Sequence, residues 1–134
     1  MKKIETIAVI DDDDIYQFTA QRTFKTIDTI KKVYIFCDGK EAIDFFADNL
    51  NDQDKLPDVI FLDLNMPIMD GWQFLKEYIL LKPQIGKKII IYVVSSSMNP
   101  DDLLKAKSIS EVHDYIVKPI TVDKFRKIIS AIEL

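Results

Sequence analysis

Five short apolar runs, each too brief for a helix, limit what this chain can fold into. They are Ile7-Ala8-Val9-Ile10, Val33 to Cys37, Val59-Ile60-Phe61-Leu62, Ile89 to Val94 and Tyr115-Ile116-Val117. β-branched and aromatic residues dominate them, as strands prefer. They are continuously apolar rather than alternating, which suits strands covered on both faces of a parallel sheet. Between the runs the period becomes helical. Asn99-Pro100-Asp101-Asp102 is a helix start, with Asn as N-cap, Pro at the first helical position and carboxylates at the positive end of the dipole. Thr121 is the N-cap expected for the last helix. That helix puts Val122, Phe125, Ile128, Ile129 and Ile132 on one face and Asp123, Lys124, Lys127 and Glu133 on the other. Trp72, Leu75, Tyr78 and Ile79 keep helical spacing, as do Ala42, Ile43, Phe46 and Leu50; Ile15, Phe18 and Phe24 do so more loosely. The order βαβαβαβαβα predicts an α/β chain with a doubly wound five-stranded parallel sheet.

At 134 residues the chain is long enough for one core, so a single domain over 1–134 is expected, with no output domain after the last helix. With 18 basic and 22 acidic residues the net charge is −4, and the Lys pairs at 2–3, 31–32 and 87–88 are scattered, as solvated loop ends are. No clustered basic face offers itself to nucleic acid. No apolar run approaches the ~20 residues of a membrane span. The charged start excludes a signal peptide, and Cys37, the only cysteine, is expected as a small buried thiol; a reducing, cytoplasmic setting fits. His113, the only histidine, reads as an exposed loop residue before the last strand, and Asn49 to Pro57 as a polar surface loop.

Sites in open parallel sheets form beyond the carboxyl ends of the strands. Asp11, Asp12, Asp13 and Asp14 follow the first strand. Asp63 follows the third, then Leu64-Asn65-Met66-Pro67. Ser95-Ser96-Ser97 follow the fourth, and Lys118-Pro119 the fifth. Each feature has an ordinary alternative: a Ser as a turn residue, Lys-Pro as a loop start, an Asp run as an exposed helix N-terminus. Their joint placement at strand ends is what points to a site. Clustered carboxylates raise one another's pKa, and a hard divalent cation removes the conflict. Mg²⁺ could take one oxygen each from Asp12 and Asp63 and the Asn65 carbonyl, with Asp11 holding a water. The metal and Lys118 could then neutralise a phosphoryl group on Asp63, with Ser95 donating to it, which is the positioning and charge neutralisation that phosphoryl transfer needs. Asp63 is the expected nucleophile, because a carboxylate can form an acyl phosphate.

These segments resemble the response-regulator receiver family: Val9-Ile10-Asp11-Asp12, Phe61 to Pro67 with Asp70-Gly71, Val94-Ser95-Ser96, and Tyr115-Ile116-Val117-Lys118-Pro119. The resemblance covers essentially the whole chain and implies a flavodoxin-like (βα)5 fold. It implies Asp63 as phosphoacceptor, Asp11 and Asp12 as the acidic pair, Ser95 as switch hydroxyl, Lys118 as phosphate-sensing lysine and Tyr115 as the aromatic switch, turning inward on phosphorylation. It implies Mg²⁺, a sensor histidine kinase or phosphotransfer protein as donor, and a protein target at the face made by the fourth helix, fifth strand and fifth helix. Lys118-Pro119 is often cis in such proteins, and Asn65 and Ser97 are placed to tune the phosphoryl lifetime. Stand-alone members that serve hybrid or phytochrome-type kinases are similar. Departures are Ser95 where Thr is commoner, Ser110-Glu111-Val112-His113 where Gly-Ala is usual, and the long loop at 49–57.

Three other readings compete. A haloacid-dehalogenase-like phosphatase would use Asp11 as nucleophile in Asp11-Asp12-Asp13, but it needs a further acidic motif after the lysine strand, where only Asp123 and Glu133 follow. A flavodoxin-like FMN carrier would need a phosphate loop where four aspartates stand. A pseudo-receiver would bind partners without phosphorylation.

Overall fold

The computed structural model describes residues 4–132, so Glu133 and the Lys pair at 2–3 lie outside the described residues. The elements are β1 (Thr6–Ile10), α1 (Asp14–Lys25), β2 (Lys32–Phe36), α2 (Gly39–Asp48), β3 (Val59–Leu62), α3 (Gly71–Leu81), β4 (Ile90–Ser95), α4 (Pro100–Ser108), β5 (Val112–Val117) and α5 (Val122–Ile132), with a single 3₁₀ turn at Lys82–Gln84. The strands pair in parallel in the order β2-β1-β3-β4-β5. The doubly wound parallel sheet expected from the sequence is the one observed.

Alternate strand residues face opposite layers, so each strand feeds two cores. Ala8, Ile10, Ile60, Leu62, Ile91 and Val93 pack with Phe46, Phe74, Leu75 and Tyr78 from α2 and α3. Ile7, Val9, Val59, Phe61, Tyr92 and Val94 pack with Phe24 of α1 and Phe125, Ile128 and Ile129 of α5. Phe24, Phe61 and Phe125 form one ring cluster with centroids 5.0–5.5 Å apart. Double coverage explains why the central strands β1, β3 and β4 carry no charged residues.

The helix starts carry the caps their sequences announce. Asp13 accepts from the Ile15 and Tyr16 amides. Asp70 and Gln73 form a reciprocal capping box at α3. Asn99 accepts from the Asp101 amide, with Pro100 at the first helical position. The Thr121 hydroxyl accepts from the Lys124 amide.

Several expectations are corrected. Ile15 (79 % exposed) and Phe18 (59 %) lie outside the core, because α1 turns the stripe of Ala20, Thr23 and Phe24 inward. Ile79 and Val122 are likewise exposed. Cys37 is exposed rather than buried: β2 is an edge strand that ends at Phe36, so the thiol falls in the following loop. His113 is exposed but belongs to β5, with its ring edge-on to Tyr92 at 5.2 Å. Lys87 is not a solvated loop end. Its side chain is only 7 % exposed, and its ammonium meets Asp58 at 2.9 Å and donates to the Gln53 and Leu56 carbonyls. Among the described residues no helix is long and apolar enough to cross a membrane.

Candidate functional site

Sheet register delivers the site residues to one edge. Ile10 pairs with Phe36 and Leu62, and Ser95 pairs with Val117. The ladder continues one step past the strands: the Asp11 amide donates to Phe36, the Asp63 amide to Ile10 and the Lys118 amide to Ser95, at 2.9–3.0 Å. Backbone pairing thus fixes where three of the side chains begin, before any of them interacts.

Asp11, Asp12 and Asp63 each offer a carboxylate oxygen within 4.8 Å of the others. Asp11 is buried; one oxygen accepts from the Asp13 amide at 2.9 Å and the other meets the Lys118 ammonium at 2.7 Å. Asp12 is exposed at the mouth. Asp63 is buried, accepts from the Leu64 amide at 2.9 Å, and lies 3.9 Å from the same ammonium. Burial pushes the Asp63 pKa up to about 6, with the Asp11 charge adding to the rise, while Lys118 and the Asn65 and Leu64 amides oppose it. Burial also raises Asp11, against its bond to Lys118. A single lysine therefore leaves two buried carboxylates incompletely compensated. These hard oxygen donors suit a divalent cation.

Ser95 is fully buried, and its hydroxyl oxygen accepts from the Ser97 amide at 3.1 Å. Tyr115 is buried, and its hydroxyl donates to the Ser97 carbonyl at 2.8 Å. The tyrosine is therefore already turned in against the loop after β4. Ser97 also donates through its hydroxyl to Asp102 of α4 at 2.7 Å. Asn65 is exposed beside Asp63. The Lys118-Pro119 bond is cis.

Two further residues shape the site, of which only Tyr16 was absent from the sequence reading. Tyr16 places its ring 4.6 Å from the Lys118 ammonium. The only sequence signal for it was its place just inside the first helix. Gly71, which the Asp70-Gly71 motif did include, lies so close to the Asp63 strand end that an added Cβ would stand 2.4 Å from the Asp63 carbonyl oxygen and 2.8 Å from the Leu64 Cα. Both are backbone atoms and cannot rotate away. Gly71→Ala is accordingly expected to lower stability by about 1–3 kcal/mol, read from urea unfolding. An unchanged midpoint would mean that the loop yields freely.

A five-stranded parallel sheet with an acidic cluster and a lysine at its carboxyl edge defines a flavodoxin-like α/β domain with a charged site at the strand ends. A family model described as the response regulator receiver domain matches residues 7–130, and the chain belongs to that family. It is similar to the response regulator Rcp1 of Synechocystis sp., 28 % identical over 130 residues that cover 96 % of this chain and 86 % of the relative. A two-component response regulator from Cytophaga hutchinsonii superposes with a TM-score of 0.82 at 27 % identity, covering 97 % of each chain. The phosphorylated cyanobacterial phytochrome response regulator RcpA superposes with a TM-score of 0.77 at 28 % identity, over 97 % of this chain and 91 % of that one. The chain is thus a receiver domain of two-component signalling, homologous to response regulators that are phosphorylated. The acidic cluster fits divalent-metal binding of the kind seen in the Mn²⁺-bound form of Rcp1. The dehalogenase-type alternative has no support. Asp13, the second acid of its Asp-x-Asp, commits its carboxylate to capping α1.

Proposed function

We propose that Asp63 is the phosphoacceptor. One observation carries this reading: the Lys118 ammonium sits 2.7 Å from Asp11 and 3.9 Å from Asp63, beside three convergent carboxylates. An Asp63 oxygen attacks the phosphorus of a phosphohistidine on a sensor histidine kinase or phosphotransfer protein. The P–N bond breaks and its electron pair returns to the imidazole. Asp12, Asp63 and the Asn65 carbonyl are the residues that would hold Mg²⁺, with Asp11 reaching it through water. When bound, the ion supplies positive charge against the phosphoryl oxygens. Lys118 is placed to pass from Asp11 toward the new charge.

Ser95 and Tyr115 carry the change outward. Ser97 already links them, accepting from Tyr115 and donating its amide to Ser95, and its hydroxyl reaches α4 through Asp102. Drawing Ser95 toward a phosphoryl group repositions this loop and shifts the α4–β5–α5 face between two populations. That face is the proposed docking surface for a protein target, and the setting is the cytoplasm.

The test is incubation with a small-molecule phosphodonor and Mg²⁺, followed by intact mass. The wild type should gain one phosphoryl group and Asp63→Asn none. A missing adduct, or one retained in Asp63→Asn, overturns the assignment.

A further inference from the structure

The geometry points to Tyr16 as a positioning residue for Lys118: its ring face is the third wall of the seat that aims the ammonium between Asp11 and Asp63. This rests on the reading of Asp63 and Lys118 above. Lysine carries a flexible four-carbon stem, and holding its charge in one place costs rotamer entropy. Two of the walls are the carboxylates, at 2.7 Å and 3.9 Å. They lie on strand ends β1 and β3. From α1 comes Tyr16, whose ring centroid is 4.6 Å from the same nitrogen, within cation–π range.

The ring stands on a fixed base. Its own amide is one of the two donors to the Asp13 cap, at 3.3 Å. Its centroid is 6.1 Å from that of Phe125 in α5. A cation that leaves Asp11 for charge growing on Asp63 can keep the electron-rich face beside it throughout. A carboxylate wall alone offers no such continuity.

The hydroxyl takes no part. It is buried and has no hydrogen-bond partner. Burial, with the Asp11 and Asp63 charges adding, pushes the phenol pKa upward, so the group stays neutral. The ring is therefore the functional part, and phenylalanine should replace it.

The experiment compares wild type, Tyr16→Phe and Tyr16→Leu. The rate of phosphoryl gain from a small-molecule donor with Mg²⁺ is followed by intact mass. Tyr16→Leu is expected to be about 3- to 10-fold slower, the range of a partly desolvated cation–π contact. Tyr16→Phe should stay within about twofold of wild type and melt no lower, since it loses only an unpartnered hydroxyl. NMR supplies a readout that needs no phosphorylation. The Lys118 ε-methylene protons should be shifted upfield by the ring in wild type and Tyr16→Phe, and return to ordinary lysine positions in Tyr16→Leu. Ordinary positions in the wild type, or a wild-type rate in folded Tyr16→Leu, would overturn the inference. If the wild type takes no phosphoryl group at all, the Asp63 reading fails, and the NMR shifts still decide whether Tyr16 seats the lysine.

Discussion

Asp58→Ala is expected to destabilise the protein by about 3–5 kcal/mol while leaving phosphoryl uptake by the folded fraction unchanged. Asp58 stands at the opposite end of the sheet from Asp63, just before β3. One carboxylate oxygen accepts from the Glu5 and Thr6 amides at 2.9 and 3.1 Å, and the other meets the Lys87 ammonium at 2.9 Å. Lys87 in turn donates to the Gln53 and Leu56 carbonyls. This group ties the start of β1, the long polar loop and the approach to β4 to one buried charge pair. Removing the carboxylate leaves the ammonium largely buried, with its two carbonyl bonds but without the anion that met it. It also takes an acceptor from two backbone amides. Each loss is costly because nothing replaces it. Asp58→Asn keeps an acceptor for the amides and should fall between wild type and Asp58→Ala. Urea unfolding read by the fluorescence of Trp72 measures all three. A loss below about 1 kcal/mol for Asp58→Ala would show that the pair contributes little beyond its surroundings.

That charge pair was invisible in the sequence, and the reason is general to this molecule. The central strands β1, β3 and β4 were legible because each lies under helices on both faces, so burial wrote continuous apolar runs. Caps such as Asn99 and Thr121 were legible because their chemistry is local, within three residues of the amides they serve. Asp11, Asp63, Ser95 and Lys118 could be placed at one edge because parallel topology brings every strand's carboxyl end to the same side. Lys87 and Asp58 are 29 positions apart in the numbering and belong to no periodic pattern. Tyr16 and Lys118 are joined only through the packing of α1 against the sheet. Cys37 was misplaced because it follows the edge strand β2, where apolar neighbours in the sequence do not guarantee cover in space; His113 is exposed as expected but falls inside β5 rather than before it. The exposed Ile15 and Phe18 show the same limit on α1, where the buried stripe runs through Ala20, Thr23 and Phe24 instead.

Asp63→Asn is expected to stabilise the metal-free protein at neutral pH by about 2–3 kcal/mol, the reverse of what loss of a site residue usually does. The folded-state pKa of Asp63 lies near 6 against an ordinary value of 3.8. One pKa unit corresponds to about 1.4 kcal/mol. Below pH 3.8 the carboxyl is protonated in both the folded and the unfolded chain, and it contributes nothing to the pH dependence. Between 3.8 and about 6 the unfolded chain has released the proton that the folded chain still holds. Unfolded chains then bind fewer protons than folded ones, so stability falls as pH rises through this window. Above it the penalty is complete. Asparagine never ionises, and its side-chain oxygen can still accept from the Leu64 amide. The gap between variant and wild type should therefore be small near pH 4, widen up to about 6 and stay constant above. Asp11, also raised by burial, leaves a slope of the same sign in the variant. Unfolding curves in chelator across this range test the sign directly: a variant less stable than wild type at neutral pH, or a gap that does not grow with pH, would contradict it. Adding Mg²⁺ gives the complementary arm. A cation held by Asp12 and Asp63 offsets the repulsion that the substitution removes, so the wild type should gain more stability from Mg²⁺ than Asp63→Asn does. The desolvation and repulsion that make the metal-free site costly are then what a bound cation would relieve.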